Sequence, residues 1–147
     1  MPALKIYVAS SWRNRQQPAV VSHLRHALLC DVYDFRNPPH GKGGFAWSEI
    51  DPDWEKWTPL QWREALGHPL ARDGFKSDYE AMQWADCCLL VLPCGRSAHL
   101  EAGWFAGQHK PVAFLALEPT EPDLMVRLGS GLLTSMDEVS IWLGQFA

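Results

Sequence analysis

The sequence predicts a single α/β domain of the flavodoxin-like, three-layer kind, with a mostly parallel sheet of about five strands. Three observations carry that expectation. Short β-rich runs at Lys5–Ala9, 31–35, Cys87–Leu92 and Val112–Ala116 alternate with helical stretches, the order that produces parallel strands covered on both faces. The run Cys87–Leu92 is apolar without interruption, as a strand buried on both faces must be. A chain of 147 residues suits one domain and can bury a core without metals or cross-links.

The elements follow in order. Ser10-Ser11 ends the first strand. Val20, Leu24, Ala27 and Leu28 then recur at i, i+4, i+7 and i+8, which marks one face of an amphipathic helix. Pro18 fits the first turn of that helix, and Asn14 is available to cap an earlier start. Arg36-Asn37-Pro38-Pro39 closes the second strand.

From position 36 to about position 70 the character changes, with several prolines and glycines and with Trp47, Trp54, Trp57 and Trp62. Structureless loops longer than about 15 residues are uncommon in compact domains, and four tryptophans argue against disorder. The stretch therefore reads as an ordered, tryptophan-rich excursion with short helices around 52–57 and 59–66. Either it covers a site or forms a subunit contact, or it is a surface decoration packed by its own aromatics. Regular order resumes with a helix over 77–85, the strand Cys87–Leu92, a turn at Pro93-Cys94-Gly95-Arg96-Ser97 and a helix over 98–108. After the strand Val112–Ala116 come a polar loop at 118–123, a short strand or turn near 132–134 and a closing helix over 137–146.

Composition excludes several classes of function. The net charge is −4 and no basic stretch is present, so general nucleic-acid binding is not expected. A small anionic ligand needs only a few local donors and stays open. No run approaches the ~18 apolar residues of a membrane span, and Met1-Pro2-Ala3-Leu4-Lys5 lacks the features of a signal peptide. A cytoplasmic location is expected. Cys30, Cys87, Cys88 and Cys94 read as small core residues rather than a disulfide framework, with the adjacent Cys87 and Cys88 on opposite faces of their strand. Their spacing matches no zinc pattern, and neither a metal nor an organic cofactor is expected.

Ligands of such sheets bind at the carboxyl ends of the strands, so three segments matter: Tyr7 to Arg13, Ser77-Asp78 at an expected helix start, and Gly95 to Gly103. In the third, Ser97 is placed to be an N-cap and Gly95 to allow a sharp turn. The positive end of the following helix favours an anion. Ala98, Ala102, Phe105 and Ala106 form its core-facing stripe, and Glu101 falls among them. A carboxylate there costs desolvation energy unless it is bonded or lines a cavity. The bland alternative is a first-turn acid serving the dipole or a cap. A capping box from Ser97, however, would put its acid at position 100, which is Leu100.

Asp78 shares a stripe with Met82 and Ala85, and spacing alone favours an ordinary cap or first-turn acid. Two carboxylates at strand exits would nevertheless supply the nucleophile and general acid that glycosyl transfer requires. His99 reads as a binding or surface residue rather than a base. Arg13 and Arg15 either bind phosphate or face solvent, and Asp86 caps or begins its strand.

Tyr7, the segment Asp78-Tyr79-Glu80-Ala81-Met82-Gln83-Trp84-Ala85-Asp86, Gly95-Arg96-Ser97 and Glu101-Ala102-Gly103, in that order, resemble the nucleoside 2-deoxyribosyltransferases and their relatives, the deoxynucleoside monophosphate N-glycosidases. The resemblance covers roughly residues 4–35 and 73–116. It implies Glu101 as a nucleophile forming a covalent glycosyl-enzyme, Asp78 assisting departure of the base, and Tyr7 holding the nucleophile. It further implies substrate contacts from Ser10, Arg13, Gly95, Arg96, Ser97 and His99 around the sugar and a 5′-phosphate, a homo-oligomer, and a nucleoside or nucleotide as the small-molecule partner. Hydrolase and transferase share the nucleophile and differ in what attacks next, so both stay open. The alternative from another class is a nucleotide-binding sensor or interaction module with no turnover on the same frame.

Overall fold

In chain order the elements are β1 (Lys5–Ala9), α1 (Gln17–His26), β2 (Asp31–Asp34), α2 (Pro59–Ala65), α3 (Pro69–Trp84), β3 (Cys87–Leu92), α4 (Arg96–Gly107), β4 (Val112–Ala116), β5 (Gly131–Leu133) and α5 (Met136–Gly144). The computed structural model describes residues 2–39 and 43–146. They fall into two compact units, one of residues up to Asp34 and from Trp84 onward, the other of Phe35–Gln83.

The first unit holds the sheet, ordered β2-β1-β3-β4-β5 with every neighbouring pair parallel. This is the flavodoxin-like order that the alternation predicts. Side chains alternate faces along each strand. Ile6, Val8, Cys87, Leu89, Val91, Ala113 and Leu115 form one core with Val20, Val21 and Leu24 of α1 and Val139, Trp142 and Leu143 of α5. On the opposite face α4 packs on β3, β1 and β4. Helices cover both faces, so β3 is buried along its whole length, and its unbroken apolar sequence follows. Cys87 lies in the α1–α5 core, whereas Cys88 senses the charge of Glu101 on α4. The two thiols do face opposite sides.

Small boundary shifts have local causes. The helix α1 ends at His26, and Ala27 is its exposed C-cap rather than part of the buried stripe. The second strand stops at Asp34, one residue early. The closing helix begins at Met136 because the Ser135 hydroxyl accepts the Glu138 backbone N–H. Glycine is required at position 129, where a Cβ would lie 2.6 Å from the Val112 carbonyl. That close approach lets the Ser130 N–H reach the same carbonyl at 2.7 Å and start β5 beside β4.

The second unit contains the tryptophan-rich stretch. Short 3-10 turns occupy Trp47–Glu49 and Trp54–Lys56. Trp47 packs edge-on against Phe45 and Trp57, with centroids 4.8 and 5.6 Å apart. The Trp57 indole N–H donates to Asp51 at 2.7 Å. Thr58 and Gln61 form a reciprocal capping box at the start of α2.

One element departs strongly from expectation. The helix expected over 77–85 begins at Pro69 and runs for 16 residues. Proline suits a first helical position, and the His68 Nδ1 accepts the Leu70 N–H at 3.1 Å. Gly74 lies inside the helix, where an added Cβ would come within 3.0 Å of the Phe45 Cβ. A glycine that makes room for a neighbour looks in the sequence like a helix stop.

Candidate functional site

In the order β2-β1-β3, the chain leaves β1 towards one face and β3 towards the other. Such a switch point opens a crevice between the carboxyl ends of the two strands. Here the switch point lies between Ser10 and the Pro93–Gly95 turn.

Tyr7 sits in β1 on the α4 face, only 2% exposed. Its ring stacks on Tyr33 of β2 at 5.3 Å and 11°, and leans on Phe105 of α4 at 5.7 Å. Two aromatic contacts fix the ring, and the phenol O–H donates to the Glu101 Oε2. Glu101 is the half-buried sixth residue of α4, on the face that also buries Ala98, Ala102 and Phe105. The inward carboxylate is thus bonded, which offsets the cost of taking it from water.

The charge of Glu101 reaches the thiols around it. Burial, and then Glu101, pushes the Cys94 thiol up to about 12. Burial chiefly raises Cys88 as well, with Glu101 second. Both cysteines are therefore neutral at pH 7 and no rivals to Glu101 as nucleophile.

At the start of α4 the expected arrangement is corrected. The N-cap is Gly95, and Ser97 is the second helical residue. Gly95 adopts an ordinary extended conformation, and a Cβ there would touch nothing within 4 Å. No sharp turn requires glycine at this position. Arg96 and Ser97 are exposed. His99 lies with Nδ1 3.0 Å from the Gly95 carbonyl. A carbonyl can only accept, so Nδ1 carries the hydrogen. The other ring nitrogen faces the Asp123 carboxylate at 3.7 Å.

Ser10 donates its hydroxyl to the Val91 carbonyl at 2.9 Å, which ties β1 to β3. Arg13 and Arg15 are exposed, and the Arg13 backbone N–H reaches the Ser11 hydroxyl at 3.2 Å. Asp86 accepts the Lys5 N–H at 2.9 Å, a strand-start role.

Asp78 is corrected in its local setting. It is the half-buried tenth residue of α3, so it is neither a cap nor a first-turn acid. It belongs to the second unit, whose own concavity is an open cleft of about 460 Å³ lined by Asp51, Trp57, Gln61 and His68 among others. None of the catalytic or substrate-binding residues expected from the sequence lines that cleft.

Two buried polar residues near the crevice gave no functional signal in the sequence. Gln17 is fully buried and donates to the Asp34 carboxylate at 2.9 Å. Asn14, read only as a cap, is 3% exposed and also bonds to the end of β3. A short amide beside arginines reads as surface, and nothing local signals otherwise. Among the described residues, no three His, Cys, Asp or Glu side chains gather as a metal site, and no helix is long and apolar enough to cross a membrane.

No family model matches the sequence, and no curated protein matches it. Solved structures do. A 2-deoxyribosyltransferase from Bacillus psychrosaccharolyticus superposes with a TM-score of 0.62 at 20% identity, over 92% of this chain and 90% of that one. A conserved protein from Enterococcus faecalis V583 gives 0.63 at 12% identity, over 99% and 100%. A CMP N-glycosidase from Clostridium botulinum gives 0.51 at 15%, over 97% and 99%. At these identities the likeness is one of fold. The deoxyribosyltransferase and the N-glycosidase belong to the group that the sequence motifs resemble, so motif and fold point the same way.

Proposed function

We propose that the protein cleaves or transfers at the N-glycosidic bond of a nucleoside or nucleoside monophosphate, with Glu101 as nucleophile. The observation that carries this reading is the phenol of Tyr7 donating to Glu101 at the switch point of the sheet. A buried tyrosine held by two aromatic rings fixes the rotation of a carboxylate that a nucleophile must keep aligned.

In the first step a Glu101 oxygen attacks the anomeric carbon as the carbon–nitrogen bond breaks. The bonding electrons leave with the base, whose nitrogen gains a proton. The sugar passes through an oxocarbenium-like state that the carboxylate stabilises and then traps as a glycosyl ester. In the second step water, or an N–H nitrogen of another base, attacks the same carbon, gives up its proton to solvent and releases the Glu101 carboxylate. The part given to Asp78, a proton to the departing base, rests on the sequence resemblance alone. So does a homo-oligomer, while a cytoplasmic location rests on the lack of signal-peptide and membrane-span features in the sequence. The exposed start of α4, at Gly95, Arg96 and Ser97, suits a 5′-phosphate because helix N–H groups and a guanidinium are available there.

The test is a panel of ribo- and deoxyribonucleosides and their monophosphates, with free base followed by chromatography, with and without an added acceptor base. Base release that disappears in Glu101→Ala is the expected result. Wild-type protein inert across the whole panel, or a fully active Glu101→Ala, overturns the proposal.

A further inference from the structure

The backbone ladder between β1 and β3 runs only as far as Ala9 opposite Leu90. Beyond that rung the chains part towards α1 and α4, as a switch point demands. The carbonyls of Val91 and Pro93 lie past the last rung and have lost the neighbouring strand β1 as a donor. Val91 is buried whereas Pro93 is exposed, and leaving the buried Val91 carbonyl unbonded is costly, so something else must answer it.

Two side chains from the β1 exit do so. The Ser10 hydroxyl donates to the Val91 carbonyl at 2.9 Å. The Asn14 amide nitrogen donates to Val91 at 3.2 Å and to Pro93 at 3.0 Å. Meanwhile the Asn14 amide oxygen accepts the N–H groups of Gln16 and Gln17 at 2.8 and 2.9 Å, at the start of α1. A primary amide has two hydrogens to give and two lone pairs to receive. Asn14 uses all four, and it does so buried.

One residue thereby joins the root of α1 to the turn from which α4 springs. Only Cys94 and Gly95 separate Pro93 from the first residue of α4. Tyr7 and Glu101 meet across this same junction.

We infer that Asn14 is a positioning residue for the Glu101 site: its amide latches the β3 exit to the start of α1 and so holds α4 where Glu101 meets Tyr7. The inference rests on the reading of Glu101 as nucleophile, and it adds a residue that touches neither substrate nor the reacting atoms. A bland account makes Asn14 only the cap of α1. Asn14→Asp separates the two, because a carboxylate still accepts the Gln16 and Gln17 N–H groups but has nothing to donate to Val91 and Pro93.

The test has an arm that needs no substrate. Cys94 lies on the latched turn, so its labelling rate by a thiol reagent, assigned by mass spectrometry, reports whether the turn opens. Asn14→Asp is expected to label Cys94 at least about fivefold faster than wild type. It is also expected to lose at least about tenfold in kcat for base release, with KM moving less than about twofold. Ser10→Ala, a milder loss of one bond to the same strand end, should move both readouts in the same direction by less, and serves if Asn14→Asp does not fold. Unchanged Cys94 labelling and unchanged kcat in a folded Asn14→Asp, with only a lower melting temperature, would reduce Asn14 to a cap and overturn the inference. A wild type inert on every substrate counts against the function rather than the latch, which the labelling arm then decides alone.

Discussion

Replacing Tyr7 by phenylalanine removes one oxygen atom and keeps the ring between Tyr33 and Phe105. The expected loss of stability is therefore that of the phenol–carboxylate hydrogen bond. Bonds to charged groups contribute about 1.5–3 kcal/mol. Glu101 is only half-buried, and water compensates part of the loss, so the low end of about 1.5–2 kcal/mol applies. For a protein of this size each kcal/mol lowers Tm by about 2–4 °C, which makes a drop of roughly 3–8 °C. The assay is urea unfolding followed by tryptophan fluorescence on wild type, Tyr7→Phe, Glu101→Gln and the double variant. In the Glu101→Gln background the bond is neutral and contributes only about 0.5–1.5 kcal/mol, so the cycle should show a coupling on the order of 1 kcal/mol. Tyr7→Phe within about 0.5 kcal/mol of wild type, or the same loss in both backgrounds, would refute the reasoning.

Further predictions concern charge and pH. Burial holds the Cys87 and Cys94 thiols at about 12, against an ordinary value of 9.0. Between those values the folded protein keeps protons that the unfolded chain releases, so stability is complete below about pH 9 and falls as pH rises towards 12. Urea midpoints should drop between pH 8 and pH 10, and Cys94→Ala should shallow that slope; an identical slope in the variant would contradict the assignment. Because Glu101 is the second cause of the Cys94 shift, Glu101→Gln should speed Cys94 labelling at pH 9, and no change would remove Glu101 from its surroundings. In the second unit, the Asp53 N–H and then the Trp57 indole hold the Asp51 carboxyl below its ordinary range. Its contribution is present above that range and lost as pH falls through the lowered value. Asp51→Asn should make the Trp57 indole hydrogen exchange faster in NMR, whereas unaltered exchange would show that the carboxylate does not hold the ring.

Local periodicity determined much of the architecture before any tertiary contact was known. An apolar run as long as Cys87–Leu92 is stable only when both faces are covered, and the alternation around it leads to the observed parallel sheet. The inward direction of Glu101 was legible for the same reason, since a helix repeats every 3.6 residues whatever it packs against. Short-range signals failed where a residue answers to something far away. The helix expected to start at position 77 begins instead at Pro69 and runs through Gly74, which lies beside Phe45. Ser97 reads as the cap of α4, yet the helix starts two residues earlier than a serine cap allows.

The site itself was decided by the strand order. That Tyr7 holds Glu101 across 94 positions, and that Ser10 and Asn14 reach β3 across 81 and 77, follows from β1 lying beside β3. Motif resemblance named Tyr7 and Glu101, but no spacing within the chain encodes their bond. Hydrogen bonds of this kind are made by strands brought side by side through the burial of both sheet faces. The sequence by itself settles which segments become strands and helices; only the packed sheet settles which of their side chains meet.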